Sequence, residues 1–378
     1  MRLLGSSLSV DEVRPKIHDV VNQLFRDVPS GAGRGGQVRI SYKDLESLLA
    51  EGAAWMVKHQ YGDREDLEHC EESGAIDGAD PAAVSDRAKK RGLPQVGTLG
   101  SGNHFLEIQY VERIFEPEIA QALGLHENEV VVLIHSGSRG LGHQVCTDYL
   151  RDMDEGMRRY GINVPDRQLA CVPVHSKEGQ SYLGAMRAAA NFAWANRQGI
   201  THFTRQAFKR IFGEKETLGT IYDVCHNIAK LERHTVDGRE RKVMVHRKGA
   251  TRAFPAGRPE VPEAYKAFGQ PVLIPGSMGT ASWVLVGAEG AMQETFGTTC
   301  HGAGRAMSRT AALRDARGRR VDRELAEQGI VARARSLKGL AEEQPAAYKD
   351  VDQVVEVVDK AGISKKVARL RPVGVIKG

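Results

Sequence analysis

Four of the 13 histidines, His104, His135, His226 and His301, stand at predicted strand ends or in glycine-rich loops. Those are the places where a rigid scaffold presents side chains to ligands. Imidazole can hold Mn, Zn, Fe or Ni, or move protons near neutral pH. A single histidine after a buried strand is more commonly a satisfied structural group, so each alone leaves both readings open. Taken together, the four point to a metal or acid/base site without selecting the metal. His18, His59, His69, His126 and His202 lie in charged or helical settings and are assigned to the surface.

Three glycine loops, GSGNHF, PGSMGT and CHGAGR, accompany them. Glycine lets backbone approach a ligand closely, and successive N–H groups can cradle an anion. Each pattern is also that of an ordinary turn. CHGAGR is the sharpest, because His301 lies inside it and Arg305 follows within one turn; arginine pairs well with phosphate oxygens. A neutral imidazole set against the α-phosphorus of a triphosphate could form a phosphoramidate. HRKGATRAFP, His246 to Pro255, fits either a phosphate-backbone contact or a solvated hairpin end. Lys377, one residue from the end of the sequence, reads by position as frayed surface.

The elements that must position these groups are legible in part. Ser9 and Glu12 form a capping box for a first helix with Pro15 in its first turn. Its apolar face is Val13, Ile17, Val20, Leu24 and Phe25, and Pro29 ends it. The following SGAGRGG lacks the Gly-Lys-Ser/Thr ending of a P-loop and reads as a flexible connection. Residues 63–92 are highly charged and read as irregular or helical surface. A strand is expected near Phe105 to Val111. EVVVLIH, ending at His135, is nearly all apolar and should be buried on both faces. A helix through about Tyr160 and an Ala-rich helix over about 180–213 follow. TIYDVCHNIAKLERHTV, Asp237-Gly238 and RKVMVH read as a β-hairpin with a tight turn. QPVLIPGSMGTASWVLVG reads as strand, glycine loop, strand. The last third mixes short helices with strands at IVARARS and VARLRPVGVIKG. With no regular βαβ alternation and no repeats, one large α+β (mixed α/β) domain over residues 1–378 is expected, central β-sheets surrounded by helices.

Bulk properties narrow the class only a little. The 378 residues are 41% hydrophobic and 27% charged, with 41 glycines and a net charge of +5, a weak lean toward a polyanionic partner. Five cysteines without a Cys-x-x-Cys pair argue against a disulfide framework or zinc ribbon and for reduced thiols. No apolar run reaches the length of a membrane span. A cytoplasmic protein with no membrane partner is expected.

GSGNHFLE, HSGSRGLGHQV, AANFAWANRQ, CHNIAK, VHRKGATRAFP, PGSMGTAS, TCHGAGR and the KG terminus together resemble the RtcB family of tRNA-splicing, 3′-phosphate RNA ligases, in order and over essentially the whole sequence. The resemblance implies a GTP-dependent enzyme that joins RNA 2′,3′-cyclic phosphate or 3′-phosphate ends to 5′-hydroxyl RNA, in tRNA splicing or RNA repair. His301 is then the guanylylated catalytic residue. His104, His135 and His226 are implied ligands of manganese, of which the family holds two ions. The implied nucleotide pocket comprises Asn103, His104, Phe105, Leu106, Glu107, His226, Asn227, Pro275, Gly276, Ser277, Met278, Ser282, His301, Gly302, Ala303, Gly304, Tyr348 and Lys377. Glu107 is suited to the guanine edge and Tyr348 to stacking on the base. Lys377 thereby ceases to be frayed surface. Arg139 and the HRKGATR run are the expected RNA-phosphate contacts, and an archease-type activator is a further partner of some relatives.

One difference from the family is expected. An Asp-x-x-Cys-Gly motif, supplying an aspartate and a bridging cysteine to the metals, there stands immediately before the residues matching Met1-Arg2-Leu3-Leu4. None of the five cysteines here matches it. The sequence thus reads as N-terminally truncated relative to the family, with weaker metal binding and apolar surface left exposed. Met1 stands where the family commonly has valine, and a valine GTG codon taken as a start would produce this. Two other readings follow: a metal-dependent RNA cyclic phosphodiesterase, or an inactive RNA- or GTP-binding fragment.

Overall fold

The computed structural model describes residues 1–31, 33 and 35–378. Ala32 and Arg34, in the SGAGRGG loop, lie outside the described residues. The fold is α+β, built on one eight-stranded sheet. Its strands are β1 (Arg2–Ser9), β2 (Phe105–Ile114), β3 (Glu129–His135), β4 (Gly219–Asp223), β8 (Pro271–Ile274), β9 (Ser282–Gly287), β11 (Val331–Ala334) and β12 (Ser364–Lys377). The order is β4-β1-β3-β2-β12-β9-β8, every neighbour antiparallel, and β11 lies parallel to β12. Two small ribbons complete the strands: β5 (Asn227–Val236) with β6 (Arg239–Lys248), and β7 (Ala250–Arg252) with β10 (Thr298–Cys300).

Successive side chains of a strand point to opposite faces, and here both faces are buried. On β3, Val130, Val132 and Ile134 enter an apolar cluster shared with the helices Ile17–Asp27 and Lys177–Phe212. Val131 and Leu133 enter a second cluster on the other face, with Leu3, Phe105, Val284 and Leu370. Each fully buried aliphatic side chain contributes about 1.5–3 kcal/mol. The all-apolar EVVVLIH strand is thus explained by its place in mid-sheet.

The Lys177–Phe212 helix begins with Ser176 accepting from the Gly179 N–H. It carries Asn191, Asn196, Arg197, Gln198, Thr201 and Thr204 fully or almost fully buried. The capping-box reading also holds, with the Glu12 carboxylate accepting from the Ser9 N–H and hydroxyl. The helix is broken at Arg14–Lys16 into a tighter turn around Pro15, then runs Ile17–Asp27. The Asp237-Gly238 turn has φ of 51° and 71°, the positive pair that matches the twist of a two-residue hairpin.

Several expectations need correction. TIYD does not belong to the hairpin: it lies in β4 of the main sheet, and the turn after it carries His226. Residues 63–92 are not simply surface, because Asp66 and Glu71 are buried ion-pair partners of Arg205, Lys230 and Arg252. His69 and His202 are half-buried, His69 bonding through Nδ1 to the Tyr265 hydroxyl. Among the described residues no exposed large apolar side chain lies in the eight-stranded sheet. Among the described residues no helix is long and apolar enough to cross a membrane, and the five cysteines are free thiols.

Candidate active site

The site lies where the ends of β2, β3 and β12 meet the turn after β4 and the loop after β10. Phe105 pairs with His135 in the β2–β3 register and with Lys377 across β2–β12. His104 and His135 are therefore fixed by the sheet itself. Their ring centroids are 5.8 Å apart, those of His135 and His226 5.0 Å, and those of His226 and His301 4.8 Å. The structure thus gathers all four histidines from four separate segments.

Burial sets their chemistry. Removal from water holds His104, His135 and His226 well below the ordinary histidine range, His104 at about 3, with neighbouring cations adding to the effect. His301 is lowered by burial too, and Lys248 nearby adds to the shift. All four are neutral at pH 7, the state a metal ligand or a nucleophilic imidazole requires. His135 Nε2 faces His226 Nε2 at 3.3 Å, and His135 Nδ1 is buried without a hydrogen-bond partner. Converging neutral nitrogens and an orphaned one fit a divalent cation in donor chemistry. Among the described residues, however, no three His, Cys, Asp or Glu side chains are arranged to enclose a metal ion.

Arg139 donates from a terminal nitrogen to His104 Nδ1 at 3.1 Å and from Nε to Thr98 Oγ1 at 3.2 Å. Its φ is +53°, a strained conformation for a non-glycine residue and one that clusters at functional sites. Asn196 ties the two histidine loops together. Its amide nitrogen donates to Thr98 O, Ser136 Oγ and Gly137 O, and its oxygen accepts from the Thr98 N–H.

Beneath the histidines lies an ion-pair cluster that nothing in the sequence pattern disclosed. Asp223 accepts from Arg2 Nε at 2.8 Å and from Arg197 at 2.6 Å, all three buried. Arg197 also donates to Ser136 O, next to His135. The Met1 amino group donates to Val224 O at 2.6 Å, and burial lowers it to about 5.

His301 stands between two groups of backbone. On one side are His226, stacked 13° from parallel, and Gly249, whose N–H is held by Asn227 Oδ1 at 2.9 Å. On the other, Gly302 approaches the Pro275 carbonyl and Gly304 O accepts from the Lys349 N–H. At Gly276 a Cβ would fall 2.0 Å from Ala281 O, so only glycine fits that turn.

These loops border a buried polar cluster. Glu107 and Lys377 are both buried and opposite in charge; burial pushes the carboxyl up and the ammonium down. Gln109 Nε2 bridges Glu107 and Ser282 Oγ at 2.7 and 2.9 Å. Glu343, missed in the sequence, is buried with its oxygens 3.3 Å from Arg305 and Arg309 and 4.0 Å from Lys377, and it accepts from the Tyr348 hydroxyl. Arg305 covers one face of the Tyr348 ring at 5.0 Å.

Some expected contacts are limited by burial. The Leu106 side chain is in the helical core and the Met278 side chain in a separate apolar cluster, which leaves their backbone for the site. In the HRKGATR run, Arg247 is taken by Glu232 and Arg252 by Glu71 and Glu72, leaving His246 and Lys248 exposed.

Residues 1–378 match the family model described as tRNA-splicing ligase RtcB. The chain belongs to the RtcB family. It is 60% identical over 381 residues to the tRNA-splicing ligase RtcB of Thermococcus kodakarensis, an alignment spanning all of this chain and 79% of that protein. It is 58% identical over 381 residues to that of Pyrococcus abyssi, spanning all of this chain and 42% of that protein. The Archaeoglobus fulgidus protein of the same name is 56% identical, with 79% of it covered. The chain therefore spans most of the length of some RtcB relatives and less than half of others.

Proposed function

We propose that this protein is a GTP-dependent RNA ligase. It would join RNA ending in a 2′,3′-cyclic phosphate or 3′-phosphate to RNA with a 5′-hydroxyl, in tRNA splicing or RNA repair, with an archease-type activator as a further partner. The observation that carries the reading is His301: a neutral imidazole between stacked His226 and the glycine loops, in a chain of the RtcB family.

In this reading a ring nitrogen of His301 attacks the α-phosphorus of GTP. The α–β phosphoanhydride bond breaks, pyrophosphate leaves, and GMP is held through a P–N bond. An oxygen of the RNA 3′-phosphate then attacks that phosphorus, the P–N bond breaks, and the imidazole is freed. The 5′-hydroxyl oxygen attacks the activated RNA phosphate, loses its proton, and GMP departs. A cyclic phosphate is first opened by water to the 3′-phosphate. His104, His135 and His226 would hold manganese, whose charge neutralises the phosphate oxygens when bound. Glu107 accepts hydrogen bonds from the guanine edge, Lys377 and Ser282 complete that pocket, and the glycine loops present N–H groups to the phosphates. Arg139 and Lys248 would meet RNA phosphate.

The test is incubation with α-labelled GTP and manganese. Labelling of the wild-type protein that His301→Ala abolishes supports the reading. A wild-type protein that opens cyclic phosphates but never acquires label would instead be a phosphodiesterase.

A further inference from the structure

The β5–β6 ribbon has two unlike faces. Ile228, Lys230, Glu232 and His234 of β5 and Arg247 of β6 face inward and are buried. Lys230 is clamped by Glu71 and Glu72 at 2.7 and 2.6 Å, Arg247 donates to Glu232 at 2.6 Å, and His234 packs edge-on to Phe296. The ribbon is thereby a fixed platform although, among the described residues, no third strand pairs with it.

Its outward face carries the alternate residues. Register places Asn227 opposite Lys248, Leu231 opposite Met244 and Arg233 opposite Lys242. Leu231 is 55% exposed, with Arg233 and Lys242 exposed beside it. Over the whole ribbon the exposed charges are Arg233, Arg239, Arg241, Lys242 and Lys248 against Asp237 and Glu240. The one ion pair among them, Arg233–Glu240 at 2.6 Å, is largely solvent-exposed and contributes little. The ribbon's root is the site itself: His226 precedes β5, Gly249 follows β6, and His301 lies against both.

We infer that this outward face is a track for single-stranded RNA, leading its 3′ end to His301. The inference rests on the ligase reading for the purpose of the track, and on the ribbon alone for its existence. Ten residues per strand give a surface about 33 Å long. Arg233, Lys242 and Lys248 meet the phosphates, and the step formed by exposed Leu231 and half-buried Met244 in the middle of the cationic face receives a base. Single strands bind in this way, through cations along the backbone and apolar contact to bases, without need of sequence.

The test uses the full chain and a fluorescent single-stranded RNA decamer with a 3′-phosphate, read by anisotropy across a salt series without GTP. The double variant Arg233→Glu/Lys242→Glu should bind about tenfold more weakly, and the slope of log affinity against log salt should fall by about 0.7 per lost phosphate contact. Leu231→Ala should weaken binding with the slope unchanged. A dinucleotide, too short to span from His301 to Lys242, should bind both proteins alike. GTP labelling should survive in every variant, since none of these residues touches the nucleotide pocket. Wild-type affinity and slope in the double variant overturn the track, as does an equal loss with the dinucleotide. A wild-type protein that never labels with GTP defeats the ligase reading instead, whatever the anisotropy shows.

Discussion

His226 and His301 lie ring over ring, their centroids 4.8 Å apart and their planes 13° from parallel. One is an implied metal ligand and the other the proposed guanylyl acceptor, so metal position and nucleophile position are a single packing problem. Gly249 also lies directly against the His301 ring.

Replacing Gly249 should therefore disturb His301 first. Its φ is +62°, and a Cβ there would sit 3.2 Å from His301 Cε1. Gly249→Ala should cost about 1–2 kcal/mol through backbone strain. Displacement of the imidazole should slow GTP labelling by about tenfold or more. Labelling rate and thermal midpoint measured together check this; a normal rate in a destabilised protein would remove Gly249 from any role at His301.

Glu107 should separate stability from recognition. Burial raises its carboxyl, so its ionised form opposes folding as pH rises through the range above its unfolded value. Glu107→Gln removes that penalty and should be no less stable at pH 7. It should nonetheless raise the GTP concentration needed for half-maximal labelling by about tenfold to a hundredfold, through a mismatched buried hydrogen bond. An unchanged GTP dependence would exclude Glu107 from base recognition.

Asp223 is the shared anion of Arg2 and Arg197. Asp223→Asn leaves two buried guanidinium groups without their counter-charge and should cost about 3–5 kcal/mol. Denaturant unfolding reads this directly, and a cost below 1 kcal/mol would mean that the cluster relaxes into water.

Glu71 predicts an acid limb. Lys230 and Arg252 outweigh its burial and hold its carboxyl at about 2, below its ordinary 4.5. A depressed carboxylate contributes stability that is complete above its unfolded value and lost as pH falls through its folded one. Stability should thus decline between pH 4.5 and about 2. Glu71→Gln should flatten that decline and cost about 3 kcal/mol at neutral pH; an identical acid profile would sink the assignment.

How much of this was legible depended on where the determining contacts lie. EVVVLIH declared a strand buried on both faces because both of its alternating sets of side chains are apolar, and Asp237-Gly238 declared its turn by local backbone chemistry. The four histidines were legible as a group from their positions beside glycine loops, and the family resemblance supplied their roles. Glu343, Asn196 and Asp223 were not legible. Their partners stand far away in sequence, Asn196 with Thr98 at a separation of 98 residues and Arg2 with Asp223 at 221. The charged 63–92 stretch misled for the same reason. Asp66 and Glu71 read as solvated until the sheet brings Arg205, Lys230 and Arg252 to them. Charge density reports composition, whereas burial is decided by non-local partners.

The strand order β4-β1-β3-β2-β12-β9-β8 also has a kinetic meaning. Four of its neighbouring pairs, β4–β1, β1–β3, β2–β12 and β12–β9, are joined across long stretches of chain, and the loop-closure entropy of such pairings is met before their contacts reward it. His104, His135, His226 and His301 arrive on different segments, so no early local hairpin or helix contains a working site. A partly folded molecule would hold no more than one or two of the four. The four imidazoles therefore come together only when the long-range pairing is complete.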